Sequence, residues 1–402
     1  MTRRTTLVLT VRLAVVVFWL LAGCEAADQQ HMAEDLNGKP RASLVGDGSS
    51  GGDQKIEISN GKITFIRHSD IYVMNSDGTG QINLTGTKVG VGGGVWSPNG
   101  KKIAFTARPT GGRSLDIYVT NPDGSGETNL TRTKASTEAA PSWSSDSKKI
   151  TYLRGSDPSS KLYTDIYVMN SDGTGQTRLI KARDTKYFEV GFESPAWAPD
   201  GEKIAFMRTT RVVPDNRASS SAVPATGPSG LYIMKPDGTC LRKLPKAMSY
   251  AQSPLWAPLW SPDGKEIAFS GAGEKGEKVY VVNADGTELR ELLPKIQAHI
   301  SSYSWSPDGK KIAFAAVHYR GELDIYVTYA DGSGQTNLTR TKTVIEDEPS
   351  WSPDGRKIAF TRGDVGDVYV DHDVYVMNAD GTGRTRLANN ASNPSFAPRN
   401  RE

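Results

Sequence analysis

The chain has only two cysteines, Cys24 and Cys240, in 402 residues. A disulfide framework of the kind that staples small secreted domains is therefore excluded. Long apolar runs are equally scarce. The one that stands out, Leu13 to Leu21 (LAVVVFWLL), falls short of the roughly 20 apolar residues a bilayer span requires, so a multi-span membrane protein is excluded. Nowhere does an apolar residue recur with the 3.6-residue period of a helix, which removes helical repeats from consideration. There is no Gly-x-Ser-x-Gly elbow and no phosphate loop, so a serine hydrolase of the α/β type and a nucleotide hydrolase both lack their sequence signals. Histidine is rare, and no pair among His31, His68, His299, His318 and His372 has the spacing of a helical metal site. Net charge is also lacking. The formal +3 comes from 48 basic against 45 acidic residues, and the excess is Arg3, Arg4 and Arg12 in an N-terminal stretch without acids. The neutral remainder gives no electrostatic case for nucleic acid as partner. What the chain does have is 41 glycines and 22 prolines, a turn-rich composition.

The three arginines and the apolar run that follows have the form of a secretory signal, ending at Leu21-Ala22-Gly23-Cys24. That ending resembles the lipobox of bacterial lipoproteins. The resemblance implies a signal peptide over residues 1–23 and lipid on Cys24, the first residue of the mature chain. Arg3-Arg4 is followed by Thr5-Thr6-Leu7, a poor fit to a twin-arginine signal. With Cys24 lipidated, Cys240 is expected to be an unpaired thiol. Residues 24–57 are polar and rich in glycine and serine, and no apolar period organises them. They are expected to form a flexible tether with a reach on the order of 30 Å.

The rest of the chain is repetitive. VWSPNGKKIAF from Val95 returns as SWSSDSKKITY from Ser142, AWAPDGEKIAF from Ala196, LWSPDGKEIAF from Leu259, SWSPDGKKIAF from Ser304 and SWSPDGRKIAF from Ser350. A second motif, DIYVMNSDGTG from Asp70, recurs from Asp116, Asp165, Gly230, Lys278, Asp324 and Asp373. The period is 46 to 49 residues, except for one interval of 65 lengthened by an insertion from Thr209 to Ser229. Each unit reads as four strands. A short strand passes through the tryptophan, and a Pro-Asp-Gly turn leads into KIAF, apolar on consecutive positions as a strand covered on both faces must be. IYVMN is the third strand, Asp-Gly supplies the positive φ of a hairpin, and a more polar fourth strand follows. Four strands in fewer than fifty residues, with the inner ones covered on both sides, describe a propeller blade.

The ends complement each other. Pro394 to Asn400 (PSFAPRN) matches the tryptophan strand and its turn, whereas Ser59 to Phe65 (SNGKITF) matches what comes after. The spacing predicts an all-β, seven-bladed propeller over residues 58–402, closed by a blade to which the C-terminus gives one strand and the N-terminus three. Such closure leaves no free sheet edge at the junction.

The paired motifs resemble the TolB-like, WD-repeat-like β-propeller repeat, and the resemblance covers essentially all of the chain from Ile58 to Asn400. It implies the fold and a binding role. TolB itself carries an α/β domain ahead of a six-bladed propeller, so its role in the Tol system is not carried over.

Within this frame the tryptophans Trp96, Trp143, Trp197, Trp260, Trp305 and Trp351, with Phe396 in the split blade, occupy one repeat position. They are expected to pack blade against blade. Trp256 lies outside the pattern, in what reads as a slipped copy of the repeat start. The Asn-x-Asp-Gly loops lack the ligand array of a calcium loop, because the residue two before Asn75 is Val73. The Asn-Leu-Thr triplets at Asn83, Asn129 and Asn337 belong to the repeated fourth strand. The segments that differ most between repeats precede each tryptophan strand and rim one mouth of the channel. They place Glu138, Tyr187, Glu193, Tyr250, His299, Tyr303, Glu346, Asp347 and Glu348 as candidate ligand contacts. Acidic and aromatic residues together suit a cationic peptide, a cation or a polar small molecule.

The expected function is a non-catalytic binding or scaffolding module, membrane-tethered outside the cytoplasm and monomeric. Its partner is expected to be a protein, peptide or small polar ligand, and no cofactor or resident metal is expected. The alternative is an enzyme acting on a polysaccharide or peptide at the channel mouth, which requires His299, His318 or His372 to converge with carboxylates.

Overall fold

The computed structural model describes residues 61–86, 92–134, 136–155, 164–181, 188–212, 229–244, 257–273, 276–293, 300–317, 322–364 and 372–399. They form seven antiparallel four-stranded sheets in which strands follow one another in chain order. Only the blade that joins the two ends departs from this. Its first strand is Ser392–Phe396 and its second is Lys62–Arg67, then Asp70–Asn75 and Ile82–Asn83. This is blade 1. Blades 2 to 7 begin at Val95, Thr137, Phe188, Leu259, Ile300 and Val344. The seam is antiparallel, with Ile63 opposite Phe396 and Thr64 opposite Ser395.

The second and third strands carry the core. In blade 2, Ile103–Ala107 and Asp116–Thr120 are buried at every residue, as strands flanked by neighbouring sheets must be. One aromatic pair recurs in all seven blades: Phe65 on Tyr72, Phe105 on Tyr118, Tyr152 on Tyr167, Phe206 on Tyr232, Phe269 on Tyr280, Phe314 on Tyr326 and Phe360 on Tyr375, with ring centroids 5.3 to 5.9 Å apart. Each such pair contributes roughly 0.5–1.5 kcal/mol beyond the area it buries.

The first strands of adjacent blades pack against one another and so line the central channel. Their tryptophans join the blades. Trp96 Nε1 donates to Ser395 O, Trp143 to Val95 O, Trp260 to Ala196 O and Trp305 to Leu259 O, at 3.0 to 3.3 Å. In each case the acceptor is the residue just before the tryptophan, or before Phe396, in the preceding blade. The rings are buried to the same degree, 6% exposed at Trp143 and Trp305 and 7% at Trp96 and Trp260. The framework role expected of the tryptophans is what these contacts provide.

The turn after the third strand recurs in all seven blades and shares a face with the turn after the first strand, which blades 2 to 7 have. Gly381 shows why the Asp-Gly turn needs its glycine. Its φ is +87°, and a Cβ there would lie 2.8 Å from Leu338 O of the preceding blade. The aspartates of these turns are occupied: Asp77 Oδ1 accepts the backbone N–H and hydroxyl of Thr79 at 2.9 and 2.6 Å. These bonds hold its carboxyl below the usual range. The other face carries the connections whose length differs from blade to blade.

Candidate functional site: the acidic wall of the channel

Aligning the first strands on their tryptophans shows where the candidate acids stand. Five residues before the tryptophan lie Glu138, Phe192, Ile300 and Glu346, all buried. This slot faces the interior between blades, and apolar side chains fill it in blades 4 and 6. In blades 3 and 7 it holds a carboxyl instead. Glu138 accepts from Thr133 Oγ1 at 2.7 Å and from Arg154 Nε at 2.9 Å. Thr133 Oγ1 also reaches Asp116 Oδ1, at 3.1 Å. Glu346 repeats the arrangement with Thr341 Oγ1 at 3.0 Å, Arg362 Nη1 at 3.7 Å and, through Thr341, Asp324. Both glutamates have 0% exposure. Their burial removes them from the solvated rim where the sequence pattern put them: they are buried acids that tie one blade to the next. Burial pushes the Glu138 carboxyl up to about 7, against the pull of Thr133 and Arg154, and raises Glu346 for the same reason.

One residue further on, four before the tryptophan, the pattern turns over. Glu193 in blade 4 and Asp347 in blade 7 occupy this position and are half-buried. Asp347 Oδ1 accepts the hydroxyl of Ser301 at 2.6 Å and also that of Ser302, both from blade 6. Glu193 has no ion-pair or hydrogen-bond partner among the described residues. It sits opposite Met207, a side chain 1% exposed, and desolvation alone pushes its carboxyl up to about 8. The next position, three before the tryptophan, is a bulge. Ala140, Ser194, Glu348 and Asn393 have φ of 50°, 48°, 57° and 57°, and the ladder shifts register at each. A proline follows every one of them, Pro141, Pro195, Pro349 and Pro394, and proline cannot donate to a ladder. The Pro-x-Trp signature was present in the sequence as the signal for these bulges. At Glu348 the bulge lets consecutive acids reach opposite ways: Asp347 to blade 6, and Glu348 Oε2 to the Asn393 N–H of blade 1 at 2.7 Å.

The charge of the channel wall follows. The seven first strands hold no lysine, arginine or histidine; with Glu138 and Glu346 sealed between blades, the half-buried acids left to the wall are Glu193, Asp347 and Glu348. Tyr303 lies on the same wall and spends its hydroxyl on Ala257 O of blade 5, at 3.1 Å; burial raises its pKa.

Tyr187, Tyr250 and His299 fall outside the described residues, as do Cys24, Trp256 and His318. His372 stands just before the third strand of blade 7, beside Gly363. No group of three or more metal-ligating side chains occurs among the described residues. The asparagines of the Asn-Leu-Thr triplets bind aspartates at the start of the third strand. Asn129 Nδ2 donates to Asp116 Oδ2 and Asn337 Nδ2 to Asp324 Oδ2, each at 2.7 Å. Cys240 departs from expectation: it is disulfide-bonded rather than a free thiol. The chain's other cysteine is Cys24, and one sulfur cannot carry both a lipid thioether and a disulfide.

The repeat matches the family described as the TolB beta propeller domain over residues 62–225 and 226–402. The chain belongs to that family. Among solved structures it is similar to TolB from Acinetobacter baumannii, with 16% identity, a TM-score of 0.50, and coverage of 84% of this chain and 82% of that one. An oligogalacturonate lyase from Vibrio parahaemolyticus aligns at 13% identity and a TM-score of 0.56, over 81% and 84% of the two chains. A puromycin-hydrolyzing peptidase from Mycobacterium tuberculosis aligns at 12% identity and a TM-score of 0.57, covering 80% of this chain and 50% of that one. At such identities the likeness is one of fold. No curated protein matches the chain. This TolB-family propeller shares its fold with proteins that bind and with proteins that catalyse.

Proposed function

We propose that this protein is a non-catalytic binding module that takes a cationic group, such as a lysine- or arginine-bearing segment of a protein partner, into the acidic channel of its propeller. The observation that carries the reading is the one-signed wall, and Glu193 within it, a half-buried carboxyl with no partner among the described residues. An ammonium 4 Å from one carboxylate gains about 4 kcal/mol at an effective dielectric near 20, enough to offset much of the cost of desolvating both. The signal-like N-terminus supports a setting outside the cytoplasm. The variable connections on one face suit recognition, and the uniform turns on the other suit a framework.

Calorimetric titration of the mature protein with a lysine-rich peptide, and with the same peptide acetylated on its lysines, tests the reading. Binding is expected for the first peptide only, weakening with salt and falling at least tenfold in Glu193→Gln. Because a bound cation favours the ionised carboxyl, affinity should rise with pH up to about 8 and level off above it, as free Glu193 becomes ionised. Equal binding of both peptides, or indifference to Glu193→Gln, would sink it.

A further inference from the structure

Blade 1 is the seam of the ring, because its strands come from opposite ends of the chain. Its main-chain pairing is thin. Ser392–Phe396 meets Lys62–Arg67 at Ile63↔Phe396, Thr64↔Ser395 and Ile66↔Ser392, with a register shift between the last two. Pro394 has no N–H to give, and Asn393, at φ 57°, turns its own N–H out of the ladder. That donor is met from the neighbouring blade. Glu348 Oε2 accepts it at 2.7 Å and Thr361 Oγ1 at 3.0 Å, while Thr361 Oγ1 donates to Glu348 Oε2 at 2.8 Å.

The contact extends a relay. Ser302, Glu348 and Asn393 stand at the same repeat position in blades 6, 7 and 1. Ser302 Oγ accepts the Glu348 N–H at 3.0 Å, and the Glu348 side chain does the same for Asn393. Of these two links, the second is the charged one and the one that holds the closing strand, from the side of blade 7. The other side-chain hydrogen bonds to the closing strand are longer and neutral: Phe396 N to Ser350 Oγ at 3.2 Å, and Trp96 Nε1 and Thr64 Oγ1 to Ser395 O, both at 3.3 Å; just past the strand, Ala397 N donates to Lys62 O at 2.8 Å. A charge-assisted bond is worth roughly twice a neutral one.

We propose that Glu348 is a clasp that seats the closing strand, so that a carboxylate on the channel wall, and not the main-chain ladder alone, governs whether the ring is shut. The strand is a strap held from the channel side, and it is released when that charge is removed.

Hydrogen exchange read by mass spectrometry on the mature protein tests this, with Glu348→Ala, Glu348→Gln and, as a control on the far wall, Glu193→Gln. In Glu348→Ala, residues 392–399 and 62–67 should exchange about tenfold faster or more, the size of one charge-assisted bond. Blades 3 to 5 should keep their protection. Glu348→Gln retains an acceptor without the charge and should lie between, and Glu193→Gln should leave the seam unchanged. Wild-type protection at 392–399 in folded Glu348→Ala, or loosening spread evenly over all blades, overturns the proposal. If Glu348→Ala does not fold, an unaltered seam in Glu348→Gln overturns it alone.

Discussion

Replacing Glu138 by glutamine should change how the stability of this propeller depends on pH, and the structure gives both the sign and the size. Glu138 is fully buried in a slot that apolar residues fill in other blades. Desolvation raises its carboxyl from 4.5 to about 7, more than Thr133 and Arg154 pull it down. In the unfolded chain the group loses its proton near the ordinary value. Between roughly pH 4.5 and pH 7 the folded state therefore binds more protons than the unfolded one, and stability falls as pH rises. Over that window the loss amounts to about 3 kcal/mol, taking 1.36 kcal/mol per pKa unit. Glutamine stands in for the protonated acid. Arg154 keeps other partners in the variant, since it lies over the Tyr167 ring at 4.5 Å and donates to Gln176 Oε1 at 2.7 Å. Urea unfolding of wild type and Glu138→Gln at intervals from pH 4.5 to pH 8 isolates the effect, because surface aspartates of depressed pKa act equally on both proteins. The variant should gain on wild type steadily through the window and then hold a constant lead. A difference that stays flat, or a variant less stable by the same amount at every pH, would refute the reasoning and mean that Arg154 keeps the glutamate ionised throughout. Glu346→Gln should act in the same direction.

Trp305→Phe, which keeps a ring but deletes the Nε1 donor to Leu259 O, should cost about 1 kcal/mol in urea unfolding. Trp351→Phe, whose Nε1 has no partner among the described residues, should lose distinctly less, and equal losses would dismiss the inter-blade bond as a stabilising contact. Gly381→Ala, with its Cβ directed at Leu338 O and φ at +87°, should destabilise by at least ~1–2 kcal/mol. Glu288 has φ 52° at the turn position where five other blades place glycine, so Glu288→Gly should leave stability unchanged or raise it by up to about 1 kcal/mol. Intact mass of membrane-purified protein, with thiols alkylated before and after reduction, separates the two fates of Cys24. Lipid on Cys24 predicts an acylated mass and no disulfide within the chain. A cleaved or uncleaved chain without lipid, gaining two alkyl groups only on reduction, would instead mean that Cys24 pairs with Cys240.

The blade count, the four strands per blade and the split closing blade were all legible in the sequence, and for a physical reason. Each blade meets the same environment as its neighbours, so the same residues recur at the same spacing: a tryptophan at the junction, an apolar run where both faces are covered, an Asp-Gly where the turn needs positive φ. The candidate site was legible only as composition. Acids before the tryptophans were visible, but a strand changes face at every residue, so one step in register separates Glu346, sealed between blades, from Asp347, which reaches blade 6 through Ser301. Counting back from the tryptophan would have hinted at this, since Phe192 and Ile300 mark the fifth position as apolar. Pro349 and Pro394 likewise marked the bulges. No local pattern could say that Glu348 would meet Asn393, because the two lie in different sheets, one blade apart. Which carboxyls stand alone, which tie blade to blade and which hold the seam was decided only when seven sheets packed around one axis, because burial and partnership there depend on the neighbouring blade and not on the strand itself.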